Sequence, residues 1–240
     1  KTLSYGIFFK IYGKIRNSIE FSSDSRIKVK VVNMEKDLSY KIYEITNGRL
    51  YTDRIHDTAV IIDKKIIEGP SFQQRYTHDL KIYNSKVKNN IVFEKGTPRI
   101  LRNLNGTVLS LLTGGGGNNN YWHWLFDVLP RFGLFSKNVN LSEVDYFLLP
   151  SLAKNFQNET LDCLNIPKHK RLSSEKFRHI KAKELIVTDH PVVISGNATQ
   201  DIQNIPGWII LWLKNVFLKQ TTVINDKQKS KVYIDRSEIA

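Results

Sequence analysis

The sequence predicts an α/β domain preceded by a β-rich extension, and three observations carry that expectation. Residues 26–100 contain short segments in which polar and apolar residues alternate, as they do in half-buried strands. Beyond residue 100, apolar runs of strand length alternate with longer helical patterns, the signature of a parallel sheet with crossover helices. Residues 107–113 (TVLSLLT) are apolar almost throughout, as a strand buried on both faces requires.

Taken in order, RIKVKVVNM, YKIYEIT, RLYTD, TAVIID and KKIIEG read as strands, separated by the turn signals Asn47-Gly48 and Gly69-Pro70. They suggest a meander or small sheet, followed by a polar, lysine-rich connection around residues 81–90. After the strand at 107–113 come four glycines and three asparagines, then a helix over about 119–136. A strand is expected at 144–149, a helix at about 152–164, a strand at 184–188, a helix at about 207–219 and a last strand at 231–235. The expected organisation is therefore a β-rich extension over 1–100, an α/β domain over 101–230, and over 231–240 the opening strand of another unit. That strand, in KVYIDRSEIA, has no cover after it, so the chain is expected to be a fragment.

With 41% hydrophobic and 11% aromatic residues, 240 residues suffice for a packed core, which excludes disorder as the default. No apolar run reaches the roughly 18 residues a membrane-spanning helix needs. The nearest, WIILWLKNVFL, is short and carries Lys214 and Asn215. The opening residues do not form a signal peptide, although a chain beginning on Lys1 leaves room for an upstream targeting segment. One cysteine, Cys163, excludes an internal disulfide framework and a cysteine-rich zinc site, and its setting in LDCLNI predicts a buried thiol. The net charge of +13 would attract nucleic acid, anionic lipid or phosphorylated substrates. Its lysines are scattered, however, and accompany many isoleucines and asparagines, the mark of a biased composition. The densest basic stretch, KHKRLSSEKFRHIKAK over 168–183, reads as solvated surface.

The strongest chemical signal is GGGGNNNYWHWLFDVLPR, residues 114–131. A strand, a glycine-rich turn and a helix start in succession put backbone N–H groups and the positive end of a helix dipole at the sheet's carboxyl edge, where open α/β sheets bind ligands. Gly114, Gly115, Gly116 and Gly117 do not form a dinucleotide fingerprint, because the next strand ends in Leu149-Pro150 without an acidic residue. No Gly-Lys-Ser/Thr follows, so they are not a Walker loop either. Asn120, His123, Asp127 and Arg131, spaced by three, four and four, share one stripe of a helix that is otherwise apolar. Burying ionisable groups without partners is costly, so the stripe faces either an internal network or a ligand cleft. His123 and Asp127 can touch, and a carboxylate partner orients an imidazole and raises its basicity. Residue chemistry alone leaves two readings open: a functional pair, or a pair that satisfies itself with Asn120 as the helix cap. HxxxD offers only two metal ligands, so zinc is disfavoured. Pro130 removes one backbone bond and is expected to bend the helix beside the stripe.

The run GTVLSLLTGGGGNNNYWHWLFDVLPR resembles glycosyltransferase family 61, whose members share N-Y-x-H-W-L-x-D-x-L-P-R. Asn120, Tyr121, His123, Trp124, Leu125, Asp127, Leu129, Pro130 and Arg131 match that pattern. NGRLYTD, Pro206 with Trp208, and VYIDRS with Arg236 are weaker points of similarity. The resemblance implies a GT-B architecture, with a Rossmann-like N-terminal domain here and a second Rossmann domain largely missing. It also implies metal-independent, inverting transfer of a sugar from a nucleotide-sugar donor to a glycan, lipid-linked or other hydroxyl acceptor, with no cofactor. No D-x-D triplet occurs in the chain. The family's G-x-H-G-A-G-type donor segment is absent, so the chain by itself is expected to be inactive.

On that resemblance His123 is the expected base, oriented by Asp127, with Asp127 itself the second choice. Asn120 and Arg131 would bind substrate, Arg131 holding the acceptor or the Asp127 carboxylate. The glycines 114–117 would lie near the cleft floor and Arg236 near the donor diphosphate. A bacterial member would act in the cytoplasm on surface polysaccharide such as capsule, at the inner face of the membrane, and a eukaryotic one in the Golgi or ER lumen. No nucleic-acid partner is expected, and a peripheral membrane contact stays open. His56 and Asp57 read as turn or surface residues, and His78, His169, His179 and His190 receive no role. Trp208 and Trp212 read as core. The competing readings are an inactive glycan-binding or scaffolding relative and a basic polyanion-binding module.

Overall fold

The computed structural model describes residues 2–76, 82–84, 86–137, 140–192, 201 and 203–218. The chain opens with helix α1 (Thr2–Tyr12) and strands β1 (Asn17–Ile19), β2 (Ile27–Glu35), β3 (Leu38–Thr46), β4 (Arg49–Thr52), β5 (Asp57–Ile62), β6 (Lys65–Ile67), β7 (Phe72–Tyr76) and β8 (Ile82–Asn84). It continues with α2 (Val92–Lys95), β9 (Arg102–Ser110), α3 (Tyr121–His123), a π turn (Trp124–Val128) and α4 (Leu129–Ser136). Then follow β10 (Tyr146–Leu149), α5 (Asn155–Cys163), β11 (Arg171–Ser173), β12 (His179–Thr188) and α6 (Gly207–Leu213), which runs into a second π turn (Lys214–Leu218). The final strand expected at 231–235, with Arg236, lies outside the described residues, as does His78.

The fold is mixed α/β, with a large mixed sheet that links the described strands in the order β1-β6-β5-β4-β12-β9-β10-β11, with β2–β3 and β7–β8 joined at its sides. β12, β9, β10 and β11 are mutually parallel. Side chains alternate across them. Leu109, Phe147, Leu149 and Ile186 meet Trp124, Val128, Leu129, Phe132, Phe135 and Leu161 of the helical layer. Val108, Leu148, Leu185 and Val187 meet Leu50, Val60, Ile62 and Ile67 from the other strands. This is the two-faced burial that the apolar runs require.

The β-rich segment does not form a sheet of its own, because hydrogen bonding crosses the boundary expected near residue 100. β3 and β4 both run antiparallel along one edge of β12, pairing with residues 184–188 and 179–181 respectively. Asn47-Gly48 is thus not a hairpin turn but a bend within one continuous edge. Asn47 N donates to Lys183 O at 2.9 Å and Ala182 N to Gly48 O at 3.0 Å. Asn47 takes a left-handed φ of 56°, and a Cβ on Gly48 would lie 2.8 Å from Leu185 Cβ. The bend forks the sheet: β2 pairs on β3, whereas β5, β6 and β1 continue from β4. The apolar content of these strands explains their place. All six residues of β5 are buried, more than the half-buried face of a free meander allows.

Two local expectations are corrected. Cys163 is exposed at the end of α5, whose inner face is carried by the buried Gln157 and Leu161. Two residues past Leu161, a helical side chain points away from the core. Asp57 is buried at the start of β5, where the Arg75 guanidinium meets its carboxylate at 2.6 and 2.8 Å. Trp208 is buried and donates from Nε1 to Tyr40 Oη at 3.0 Å. Among the described residues, no helix is long and apolar enough to cross a membrane.

Candidate functional site

The motif helix is built around Pro130. Without an N–H, Pro130 cannot donate to the carbonyl of Phe126, and the ladder slips by one residue, so that Leu129 N donates to Trp124 O. The bend expected from Pro130 therefore takes the form of a π turn that contains Asp127. Asn120 caps the helix, its Oδ1 accepting from Trp122 N at 2.9 Å and His123 N at 3.4 Å. One helical turn on, His123 Nδ1 lies 2.6 Å from Asp127 Oδ2. A carboxylate can only accept, so Nδ1 carries the proton and the neutral ring keeps its lone pair on Nε2. Nε2 makes no hydrogen bond among the described residues, and the His123 side chain is 31% exposed against 9% for Asp127. The ring edge of Trp122 sits against His123 at 5.0 Å between centroids, which limits the imidazole's freedom.

Asp127 has a second histidine neighbour that sequence reasoning passed over. His190 Nε2 stands 3.9 Å from Asp127 Oδ1, beyond hydrogen-bonding distance, and also 3.3 Å from Thr113 Oγ1. Its Nδ1 donates to Val192 O at 3.1 Å, so Nε2 is the acceptor for the Thr113 hydroxyl. The ring stacks on Phe72 at 5.0 Å. Burial pushes the His190 pKa down to about 4, against the attraction of Asp127. One signal could have found this residue: it lies two positions past the predicted strand at 184–188, at the carboxyl edge where α/β sheets place their ligands.

Arg131 is 3% exposed and ties the two halves of the site together. Nε donates to the main-chain oxygen of Asp127 at 3.1 Å, and Nη1 to Thr188 O, Thr188 Oγ1 and Asp189 O at 3.3–3.4 Å. It meets Asp127 through the carbonyl, not the carboxylate, and it is buried under the site instead of open to it. Burial lowers its pKa to about 10, partly offset by Asp127 and Asp189, so the guanidinium stays charged at neutral pH. Asp189 in turn accepts from Tyr43 Oη and Lys41 N, both at 2.8 Å, and Tyr40 Oη donates to Pro191 O at 2.8 Å. The 188–192 segment that presents His190 is thus pinned from three sides.

The glycine loop has a packing role. Gly115–Asn118 form a 3-10 turn whose carbonyls at Gly117 and Asn118 accept from the buried Gln157 side chain at 3.3 and 2.9 Å. A Cβ on Gly117 would lie 2.6 Å from Val128 Cγ2 and 3.1 Å from Pro150 Cγ. Gly117→Ala is therefore expected to cost about 1–3 kcal/mol of stability by overpacking. A shift in urea midpoint too small to measure would show that the loop can yield. Gly114 abuts Phe72, the residue on which the His190 ring stacks, so the loop reaches His190 through that ring.

His179 lies at the other end of β12 and is fully buried. Nε2 accepts from Arg49 Nη2 at 3.0 Å and Nδ1 donates to Arg99 O at 2.9 Å. Burial holds its pKa down at about 4. A base whose pKa is lowered on folding stays neutral in the native state while the unfolded chain, with a pKa near about 6.5, takes up the proton. Stability is then fully present above about pH 6.5, falls as pH drops towards about 4, and levels below that. His179 and His190 together, at on the order of 3 kcal/mol each, should bring acid unfolding into this window. Urea midpoints that stay level from neutral pH to about 4.5 would contradict this.

Compared with known proteins, the chain matches no family model, no curated protein and no solved structure. Among the described residues, no three His, Cys, Asp or Glu side chains converge as a metal site.

Proposed function

We propose that the chain is the acceptor-side part of a sugar transferase similar to glycosyltransferase family 61, with His123 as the base. One observation carries the reading: a His123–Asp127 pair at 2.6 Å, at the carboxyl edge of parallel strands, with Nε2 left open. In the reaction, Nε2 takes the proton of an acceptor hydroxyl as its oxygen bonds to the anomeric carbon of the donor sugar. The bond from that carbon to the diphosphate oxygen breaks, and the nucleoside diphosphate leaves with the electron pair. Asp127 holds the ring in the required tautomer and stabilises the imidazolium that forms. The resemblance adds a Rossmann-like reading of the parallel strands, and Arg236 as a diphosphate ligand.

Other groups support this reading in a positioning role. Asn120 fixes the helix start, and Arg131 sets the Asp127 main chain against the 188–190 segment. The partly buried, neutral His190 stands beside Asp127. The test is nucleotide release from a panel of nucleotide sugars by the full gene product, beside the 240-residue chain. Release by the full product that is lost in His123→Ala supports a transferase with this base. No release with any donor, or release indifferent to His123, overturns the reading.

A further inference from the structure

At the amino ends of β9 and β12, opposite the dyad, lies a groove of about 890 Å³ lined in part by Lys95, Arg99, Arg102, Lys176 and Arg178. None of these five cations forms a salt bridge with a carboxylate among the described residues. Arg178 is held by the carbonyls of Thr52 and Asp53, and Arg102 lies over the Phe177 ring. Of the two acids of the groove, Asp53 attracts Arg178 without a salt bridge, and both have other partners. Asp53 Oδ1 accepts from three backbone N–H groups, and Glu175 pairs with Arg54 outside the basic cluster. Burial, Arg99 and Arg54 lower the pKa of Arg178, partly offset by Tyr51 and Asp53, as expected where like charges gather.

Apolar side chains project around this positive groove. Ile55 and Ile100 line it and are 62% and 76% exposed, while Ile7 and Ile11 of α1 are 55% and 61% exposed. Ile7 and Ile11, one helical turn apart, lie on a different face of α1 from Tyr5 and Phe8, which reach into the groove. The helix is anchored: Tyr12 Oη accepts from Leu101 N at 2.8 Å, and its ring packs edge-on against His179 at 4.9 Å. Singly exposed apolar residues are ordinary, but Ile55 and Ile100 project from the lining of a groove that also gathers five basic side chains, which makes one face both apolar and cationic.

We propose that this face docks on an anionic lipid surface, the groove receiving headgroup phosphates and the isoleucines entering the interface. The pairing of basic residues with projecting aliphatics is what such a surface rewards, and neither feature alone would suffice. β9 spans the distance between the groove and the dyad, about 30 Å at roughly 3.3 Å per residue, so the membrane face lies at the pole away from His123.

The chain is sedimented with vesicles of phosphatidylcholine alone, and of phosphatidylcholine with about a third phosphatidylglycerol. It should pellet with the anionic vesicles and not with the neutral ones. Arg99→Glu with Arg102→Glu should weaken that binding at least about tenfold, and Ile55→Ser with Ile100→Ser should remove the part that survives high salt. Unaltered thermal melting shows the variants folded; if the charge reversals fail to fold, Lys95→Gln with Lys176→Gln replaces them. Equal binding to both vesicles, binding to neither, or variants that bind like the parent chain would each overturn the proposal. So would tight binding of a single-stranded oligonucleotide through the same arginines without vesicle binding, which would make the groove a site for soluble polyanions. The assay involves no sugar donor and no base, so its outcome is independent of the role assigned to His123.

Discussion

His123→Ala in the full gene product should lower nucleotide release and sugar transfer by about a hundredfold or more, the scale of losing a general base. The loss should appear in kcat, because Nε2 contributes when the proton moves and not when the donor binds. Asp127→Asn should lower kcat as well, since an amide can donate to Nδ1 and so place the proton on Nε2, which removes the accepting lone pair. The two residues act as one unit, so the double variant should be little worse than His123→Ala alone. Additive losses would mean separate tasks for the two side chains. Full activity in Asp127→Asn would remove the dyad from the mechanism.

Arg131→Met is expected to destabilise the fold by about 3 kcal/mol or more, read from the urea midpoint. The substitution keeps most of the apolar stem but leaves the carbonyls of Asp127, Thr188 and Asp189 without the guanidinium they now share. Three acceptors, two of them buried, losing one donor group is a larger loss than any single surface ion pair would give. Arg131→Lys should fall between the two, because one ammonium cannot span both the π turn and the end of β12. A variant within about 0.5 kcal/mol of the parent would show that the 188–190 segment is held by Asp189 and Tyr40 alone.

Much of the helical half was legible in the sequence. The alternating and continuous apolar runs located β9, β10 and β12, and the stripe from Asn120 to Arg131 foretold a capped helix with a His–Asp contact. Pro130 announced a break, because a missing N–H must be accommodated wherever the helix goes. Less legible was the fate of residues whose partners are distant in sequence. Asp57 looked like a turn residue until Arg75 and Ile91 N were placed against it. His179 and His190 sit among polar residues in the chain but among buried ones in space.

By itself, then, the sequence marked β2–β6, β9, β10, β12, α5, α6 and the motif helix, though not α1, α2, β1, β7, β8 or β11, and it marked where the motif helix is capped and broken and that His123 can meet Asp127. Each of these follows from interactions within a few residues. Tertiary structure alone decided that the β-rich segment and the parallel strands share one sheet, because strand pairing is chosen by whole faces that must be covered on both sides. It alone also brought His190 to Asp127, turned Arg131 from the cleft to the core, and gathered five cations and two exposed isoleucines at the opposite pole. Those placements depend on contacts between residues tens of positions apart, and local spacing carries no record of them.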